Sequence, residues 1–122
     1  MTQMILRDAF DQYRTRVSIL KKGYAQEKYR IDQICRSFLG EKIVREITSV
    51  DVATYRDQRL VAINPKTQKQ LSPSTVRLEL SLLSSLMEIG RIEWGICDSN
   101  PVKNVRKPQS PPGRDRLNGR DS

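Results

Sequence analysis

A leucine-rich segment between residues 73 and 89 most constrains how this chain folds. It begins at Ser72-Pro73, where the serine can cap a helix and proline suits the first helical position, because the N–H it lacks would have no partner there. Apolar residues follow at helical spacing: Leu78, Leu80, Leu82, Leu83, Leu86, Met87 and Ile89. The second half is apolar on nearly all sides, which predicts a helix at the centre of a helical bundle. The first turns are polar, so we expect that end to be accessible: Ser74, Thr75, Arg77 and Glu79.

Three earlier segments have the same period and predict helices that pack on this central one. The first spans about residues 3–18, with an apolar stripe of Leu6, Phe10, Tyr13 and Val17. The second spans about 24–38 and ends near Gly40, with an inward side of Tyr24, Lys28, Ile31, Ile34, Cys35 and Phe38. No strand pattern and no internal repeat competes with this interpretation, which is an all-α bundle.

The third predicted helix begins at Thr48 or Ser49, both good N-caps, with Asp51 in the first turn where the helix dipole favours an anion. It runs to about Ala62, and its inward side would be Val52, Tyr55 and either Arg59 or Leu60. Residues 64–72 read as a polar loop. The fourth helix is expected to stop at Trp94-Gly95, before an Asn100-Pro101 turn.

The chain has 122 residues, enough for one domain with a modest core. No apolar run approaches the ~20 residues that span a bilayer, and the N-terminus lacks the apolar stretch of a signal peptide. We therefore expect a cytoplasmic protein with no membrane partner.

The net charge of +8 favours a polyanionic partner. Half of that excess lies in residues 103–122, which hold six Lys or Arg and two Asp. Such a basic tail either solubilises the chain or contacts nucleic acid.

Few residues here could perform catalysis or bind metal. The chain has no histidine, which removes the commonest general base and metal ligand together. Cys35 and Cys97 stand alone, so neither a zinc motif nor a disulfide is indicated. We expect no cofactor, no metal and no catalytic residue in this sequence.

Two polar helix starts are candidate DNA-binding surfaces, because phosphate contacts come from Lys, Arg, Ser, Thr and helix N-termini. One surface surrounds the start of the second helix: Lys21, Lys22, Gln26 and Arg30. The other surrounds the start of the fourth helix: Lys66, Lys69, Ser74, Thr75 and Arg77. Arg77 is the best single candidate, the alternative being a surface ion pair with Glu79. Ser74 and Thr75 are equally explained by capping.

The order and spacing of several short motifs resemble the N-terminal core-binding domain of tyrosine recombinases, the phage-integrase family. No single motif is diagnostic, but together they cover roughly residues 4–117. The matching pieces are Tyr24-Ala-Gln-Glu27, Arg30-Ile31, Ile47-Thr48, Asp51-Val-Ala, Tyr55-Arg56-Asp57, Arg59, Leu71 to Val76, Glu79-Leu80, Leu83-Ser84, Glu93-Trp94-Gly95, Asn100-Pro101-Val102, Arg106-Lys107-Pro108 and Pro112-Gly113-Arg114-Asp115-Arg116.

The resemblance implies a SAM-like bundle of four to five helices, residues 1–101, whose second and fourth helices face double-stranded DNA. Residues 102–122 would then be a flexible, basic, proline-rich linker, with Lys103, Arg106 and Lys107 on the phosphates. The family's tyrosine nucleophile, arginines, lysine and histidines follow that linker. We therefore expect this polypeptide to hold attachment-site DNA without cutting it, and to pair with a catalytic domain and other recombinase protomers.

The alternative is a stand-alone helical DNA-binding regulator or a protein-interaction module with the same fold. Three further residues are expected to be structural rather than DNA-contacting. Trp94 would anchor the core or an interdomain contact rather than stack on a base. Tyr55 and Arg59 would join the third helix to its neighbours.

Overall fold

Four α-helices form the bundle in a computed structural model that describes residues 4–20, 22, 24–64, 69–70 and 72–108. The helices are α1 (Leu6–Arg16), α2 (Tyr24–Arg36), α3 (Ser49–Val61) and α4 (Pro73–Ile89). Short 3-10 turns follow the helices at Ser18–Leu20, Phe38–Glu41, Val44–Glu46 and Pro101–Asn104, and a π-helical turn, Gly90–Trp94, extends α4. The predicted all-α bundle is confirmed.

The starts of α3 and α4 are where their capping residues place them. Ser72 accepts a hydrogen bond from the Thr75 backbone N–H, with Pro73 at the first helical position. Thr48 accepts one from the Asp51 N–H, and the Asp51 carboxylate accepts from the Thr48 N–H in return. Each cap contributes about 1 kcal/mol by satisfying donors that the helix leaves free.

The core lies around α4, which packs against α1, α2 and α3. Its largest fully buried side chains come from all four helices and the turns between and after them: Leu6, Phe10, Tyr13, Ile31, Ile34, Leu39, Tyr55, Leu80, Leu83, Leu86, Met87 and Ile96. Trp94 is partly buried and packs on this core, as predicted. No helix in the described ranges is both long and apolar enough to cross a membrane.

One predicted inward position is wrong. Lys28 is exposed on α2, since its charged end gains more from water than from the apolar interior. Leu78 on α4 is 47% exposed, because it lies in the first half of that helix, which other elements do not cover on all sides. A short antiparallel ladder extends into the predicted polar loop 64–72 and pairs β1 (Ile63–Asn64) with β2 (Lys69–Gln70).

Two glycines determine how the connections turn. Gly40 lies in the turn after α2, where an added Cβ would come within 2.0 Å of the Cys35 carbonyl oxygen. Gly95 ends the π-turn with φ +65°, a left-handed conformation that side chains disfavour. Glycine accommodates the close approach at Gly40 and the positive φ at Gly95, so each turn depends on the glycine at that position.

Candidate nucleic-acid interface

The start of α4 is the one helix start that lacks an acidic residue in its first turn among the four helices. Asp8, Glu27 and Asp51 stand in the first turns of α1, α2 and α3. On α4, Ser74 is exposed, and the Thr75 hydroxyl lies 3.1 Å from that of the capping Ser72. The partial positive charge of this N-terminus is therefore not neutralised by a carboxylate of its own first turn.

The second predicted surface lies on and before α2. Lys22 and Gln26 are exposed, and Arg30 is half-buried one turn further along the same face as Gln26. Lys21 and Lys66 lie outside the described residues. Lys69 lies in β2, beside α4 in the sequence, and only its backbone is described.

Residues 104–108, which we call the strap, lie along α3 and the first half of α4. Apolar and basic side chains alternate in groups along this part of the chain. Val102 and Pro108 are buried and Val105 packs against the core, whereas Lys103, Arg106 and Lys107 are exposed. The first seven residues of the predicted linker, 102–108, are thus held on the bundle. Residues 109–122 lie outside the described residues.

Two arginines donate to backbone carbonyl groups of the strap. The Arg56 Nη1 atom on α3 lies 2.8 Å from the Arg106 carbonyl oxygen. On α4, the Arg77 Nε and Nη2 atoms lie 3.0 and 2.8 Å from the Pro108 carbonyl oxygen. Arg77 therefore pairs with the strap and not with Glu79. Sequence patterns could not have indicated either contact, because the acceptor is a backbone group and carries no side-chain signature.

A groove of about 670 Å³ separates the strap from α3. Its lining on α3 is mixed, with apolar Val50, Ala53 and Leu60 beside polar Ser49, Arg56 and Asp57, and the strap side includes Arg106 and Lys107. The exposed basic side chains of the strap therefore lie at the edge of a groove that is partly apolar and partly charged.

Lys103 has a carboxylate partner in the structure. Its Nζ lies 3.2 Å from Glu88 on α4, and Glu88 also accepts hydrogen bonds from Arg91 and from the Asn100 amide. These bonds from Arg91, Asn100 and Lys103 lower the pKa of Glu88 to about 2. Lys103 is 3.2 Å from a carboxylate that stays ionised at neutral pH, so it would have to share its charge between that partner and a phosphate.

The interior of the α3–α4 contact contains a polar network that the sequence did not predict. Glu79, expected to be accessible, is only 2% exposed. Its carboxylate accepts 2.9 Å hydrogen bonds from Arg59 Nε and Nη2 and a 2.8 Å bond from the Tyr55 hydroxyl. Burial, and then the Glu79 charge, raise the pKa of that hydroxyl above its ordinary value. The expectation that Tyr55 and Arg59 join α3 to its neighbours is confirmed.

The described residues hold no group of three or more His, Cys, Asp or Glu side chains that could bind a metal ion. Burial raises the pKa of the Cys35 thiol to about 11, so it is un-ionised and unreactive at neutral pH. What the surface can do chemically is bind anions through exposed Lys, Arg and hydroxyl groups.

Comparison with known proteins decides the relationship. The chain is 54% identical over 114 residues to the "Shufflon-specific DNA recombinase" of Escherichia coli, a match that covers 93% of this chain. The chain is a relative of the tyrosine recombinases. It is also 34% identical over 111 residues, 91% of its length, to the "Putative integrase/recombinase" of Haemophilus influenzae.

The chain spans only 30% and 28% of the lengths of these two recombinase relatives. No family profile matches it, and no solved structure matches it.

Proposed function

We propose that this chain is the DNA-binding, core-binding part of a site-specific tyrosine recombinase. The observation that carries the proposal is the 54% identity, over nearly the whole chain, to a protein named as a DNA recombinase. At that level of identity two chains share a fold, and the bundle described above is the part of the molecule on which a shared DNA-binding role would rest.

The surface chemistry supports double-stranded DNA as the partner. Exposed basic and hydroxyl side chains cluster at the start of α4, along α2 and on the strap, and these are the groups that bind phosphates. The α4 N-terminus, with no acidic residue in its first turn, adds a partial positive charge. Lys22, Gln26, Arg30, Ser74, Arg106 and Lys107 are the described residues that we assign to this interface.

We further propose that residues 1–101 are the binding domain and that 102–122 connect it to a catalytic domain. The recombinase relatives are roughly three times longer than the aligned segment, which leaves room for such a domain. In this arrangement the segment holds and orients the DNA, strand cleavage and rejoining belong to the remainder, and other protomers bind the same DNA.

Fluorescence anisotropy with a labelled duplex tests DNA binding directly. We expect a dissociation constant for the isolated chain of about 10⁻⁴–10⁻⁶ M near physiological salt, weakening as salt increases. Arg30→Ala should weaken binding and lower the slope of log K against log salt by about 1, as expected for one lost phosphate contact.

Lys28→Ala is the matched control. Lys28 is exposed on α2, two residues from Arg30 and on roughly the opposite side of the helix from Gln26 and Arg30. The substitution removes the same charge from the same helix, but from a face outside the proposed interface. DNA affinity should therefore remain near that of the parent chain. Equal losses of DNA affinity in both variants would mean that binding depends on general electrostatic attraction and not on this surface. Binding that does not depend on salt would contradict the proposal as a whole.

A further inference from the structure

The strap is attached to the bundle at two points that come from different helices. Arg56 on α3 donates to the Arg106 carbonyl oxygen, and Arg77 on α4 donates twice to the Pro108 carbonyl oxygen. These two acceptors are two residues apart. In an extended chain, carbonyl groups at that spacing point to the same side, which here is the side facing the bundle.

The apolar side chains of this segment agree with that direction. Val105 and Pro108 turn towards the bundle, as does Val102 just before the strap, and the basic Arg106 and Lys107 are exposed. The backbone hydrogen bonds and the buried apolar side chains therefore hold the same face of the strap against the bundle. This attachment is what leaves the side chains of Arg106 and Lys107 exposed. A free linker would present them in many directions.

The two arginines are themselves held in a common frame. A buried ion pair lies next to both arginines. Its Arg59 is one helical turn after Arg56 on α3, and its Glu79 is two residues after Arg77 on α4. This pair sets the position of α3 against α4, and hence the spacing between the two guanidinium groups. Arg56 has a second contact, with Asp57, at 2.9 Å through Nε, which leaves Nη1 for the strap.

We infer that Arg56 and Arg77 are positioning residues for the interdomain connection, and that they hold it on the bundle as far as Pro108. They aim Arg106 and Lys107 away from the bundle. Arg77 thereby takes a role different from direct phosphate contact, since two of its donors are already used by Pro108. The inference rests on the proposed function only for the identity of the domain to which the strap leads.

Trypsin cleavage of the DNA-free chain tests the attachment without any assumption about DNA. The bond after Arg106 lies within the strap and is cut only when the strap leaves the bundle. In Arg56→Ala and in Arg77→Ala, we expect cleavage there, followed by mass spectrometry, to be about fivefold faster, the equivalent of about 1 kcal/mol of lost attachment. Arg77→Lys, which keeps the charge but offers a single ammonium to the carbonyl, should be intermediate.

Arg36→Ala is the control, because Arg36 is an exposed arginine on α2 whose side chain contacts Gln33 and not the strap. The thermal midpoint of each variant is measured alongside. Faster cleavage at Arg106 with an unchanged midpoint supports the inference. An unchanged rate of cleavage in both Arg56→Ala and Arg77→Ala overturns the inference. A faster rate overturns it too if it is explained by a lower thermal midpoint, or if Arg36→Ala shows the same increase.

A second measurement separates positioning from contact. If Arg56 acts through the strap, Arg56→Ala weakens duplex binding about fivefold while the salt slope stays that of the parent, because no phosphate contact is lost. A slope lowered by about 1 would mean that Arg56 itself contacts phosphate and would overturn the positioning role. If the parent chain binds no DNA at all, the proposed function fails and the trypsin result still stands.

Discussion

Replacing Glu79 by alanine is expected to be among the most damaging single changes in the bundle. The substitution removes the carboxylate that joins α3 to α4 and leaves Arg59 and Tyr55 without their acceptor. The Arg59 side chain is 16% exposed and that of Glu79 3%, so little water can replace the lost bonds. The charge of Arg59 would be left largely buried and unpaired.

The size of the effect can be worked out from that burial. Removing one member of a buried ion pair costs about 3–5 kcal/mol, and the partial exposure of Arg59 places this case near the lower value, about 3 kcal/mol. A domain of this size is stabilised by only about 5–15 kcal/mol in total. For about 100 residues, 3 kcal/mol corresponds to a fall of at least about 12 °C in the thermal midpoint.

Urea and thermal unfolding, followed by circular dichroism and by the fluorescence of Trp94, measure this loss. Trp94 is the single tryptophan of the sequence and packs on the core, so it reports tertiary structure. Two conservative variants divide the effect. Tyr55→Phe removes only the hydroxyl donor and should cost about 1 kcal/mol. Glu79→Gln keeps the shape but turns a donor towards Arg59, and we expect an intermediate cost.

A Glu79→Ala variant whose free energy of unfolding lies within about 0.5 kcal/mol of the parent, the range typical of surface substitutions, would refute this role of the buried ion pair. That result would mean that water or another acceptor serves Arg59 equally well. If Tyr55→Phe lowers the free energy of unfolding as much as Glu79→Ala does, the Tyr55 hydroxyl and not the ion pair would be the group that stabilises this contact.

Two further predictions concern pH and a glycine turn. The pKa of Glu88 is lowered from 4.5 to about 2, so its contribution to stability is complete above pH 4.5 and is lost as the pH falls towards 2. In Glu88→Gln the thermal midpoint should fall less steeply over that range, and parallel curves for variant and parent would contradict the assignment. Gly40→Ala should cost about 3 kcal/mol because the new methyl meets a backbone carbonyl that cannot move aside. Gly95→Ala, with open space but a positive φ, should cost only about 1 kcal/mol, and the reverse order in urea unfolding would be evidence against this explanation.

Local signals in the sequence were sufficient for the helices themselves. The Ser72-Pro73 start of α4 and the Thr48–Asp51 cap of α3 involve residues at most three positions apart, so the interaction is complete within the segment. The stripe on α1 likewise follows from periodicity, although the described helix is shorter than the predicted 3–18. The short ladder at 63–70 gave no strand signal because each strand is only two residues long.

The candidate interface was predictable in composition but not in arrangement. Exposed basic residues on α2 and the strap follow from charge and periodicity, and the structure leaves Lys22, Arg106 and Lys107 accessible. The partners of Arg77 and Lys103 are more distant: Arg77 contacts a carbonyl 31 positions away, and Lys103 a carboxylate on α4. No local sequence pattern distinguishes an arginine that can bind phosphate from one that already donates to a backbone carbonyl group.

The amino-acid sequence by itself determined where the helices begin, which of their faces are apolar and that the surface is basic, because capping, periodicity and charge are properties of residues close together in the chain. The tertiary structure alone decided that Glu79 is buried beneath Tyr55 and Arg59, and that Arg56 and Arg77 hold the strap. Those pairings depend on how α3 meets α4, which brings together groups that are 20 to 50 positions apart. A charged side chain has the same affinity for water wherever it stands in the sequence, and only the packed bundle determines which charges give up that water for each other.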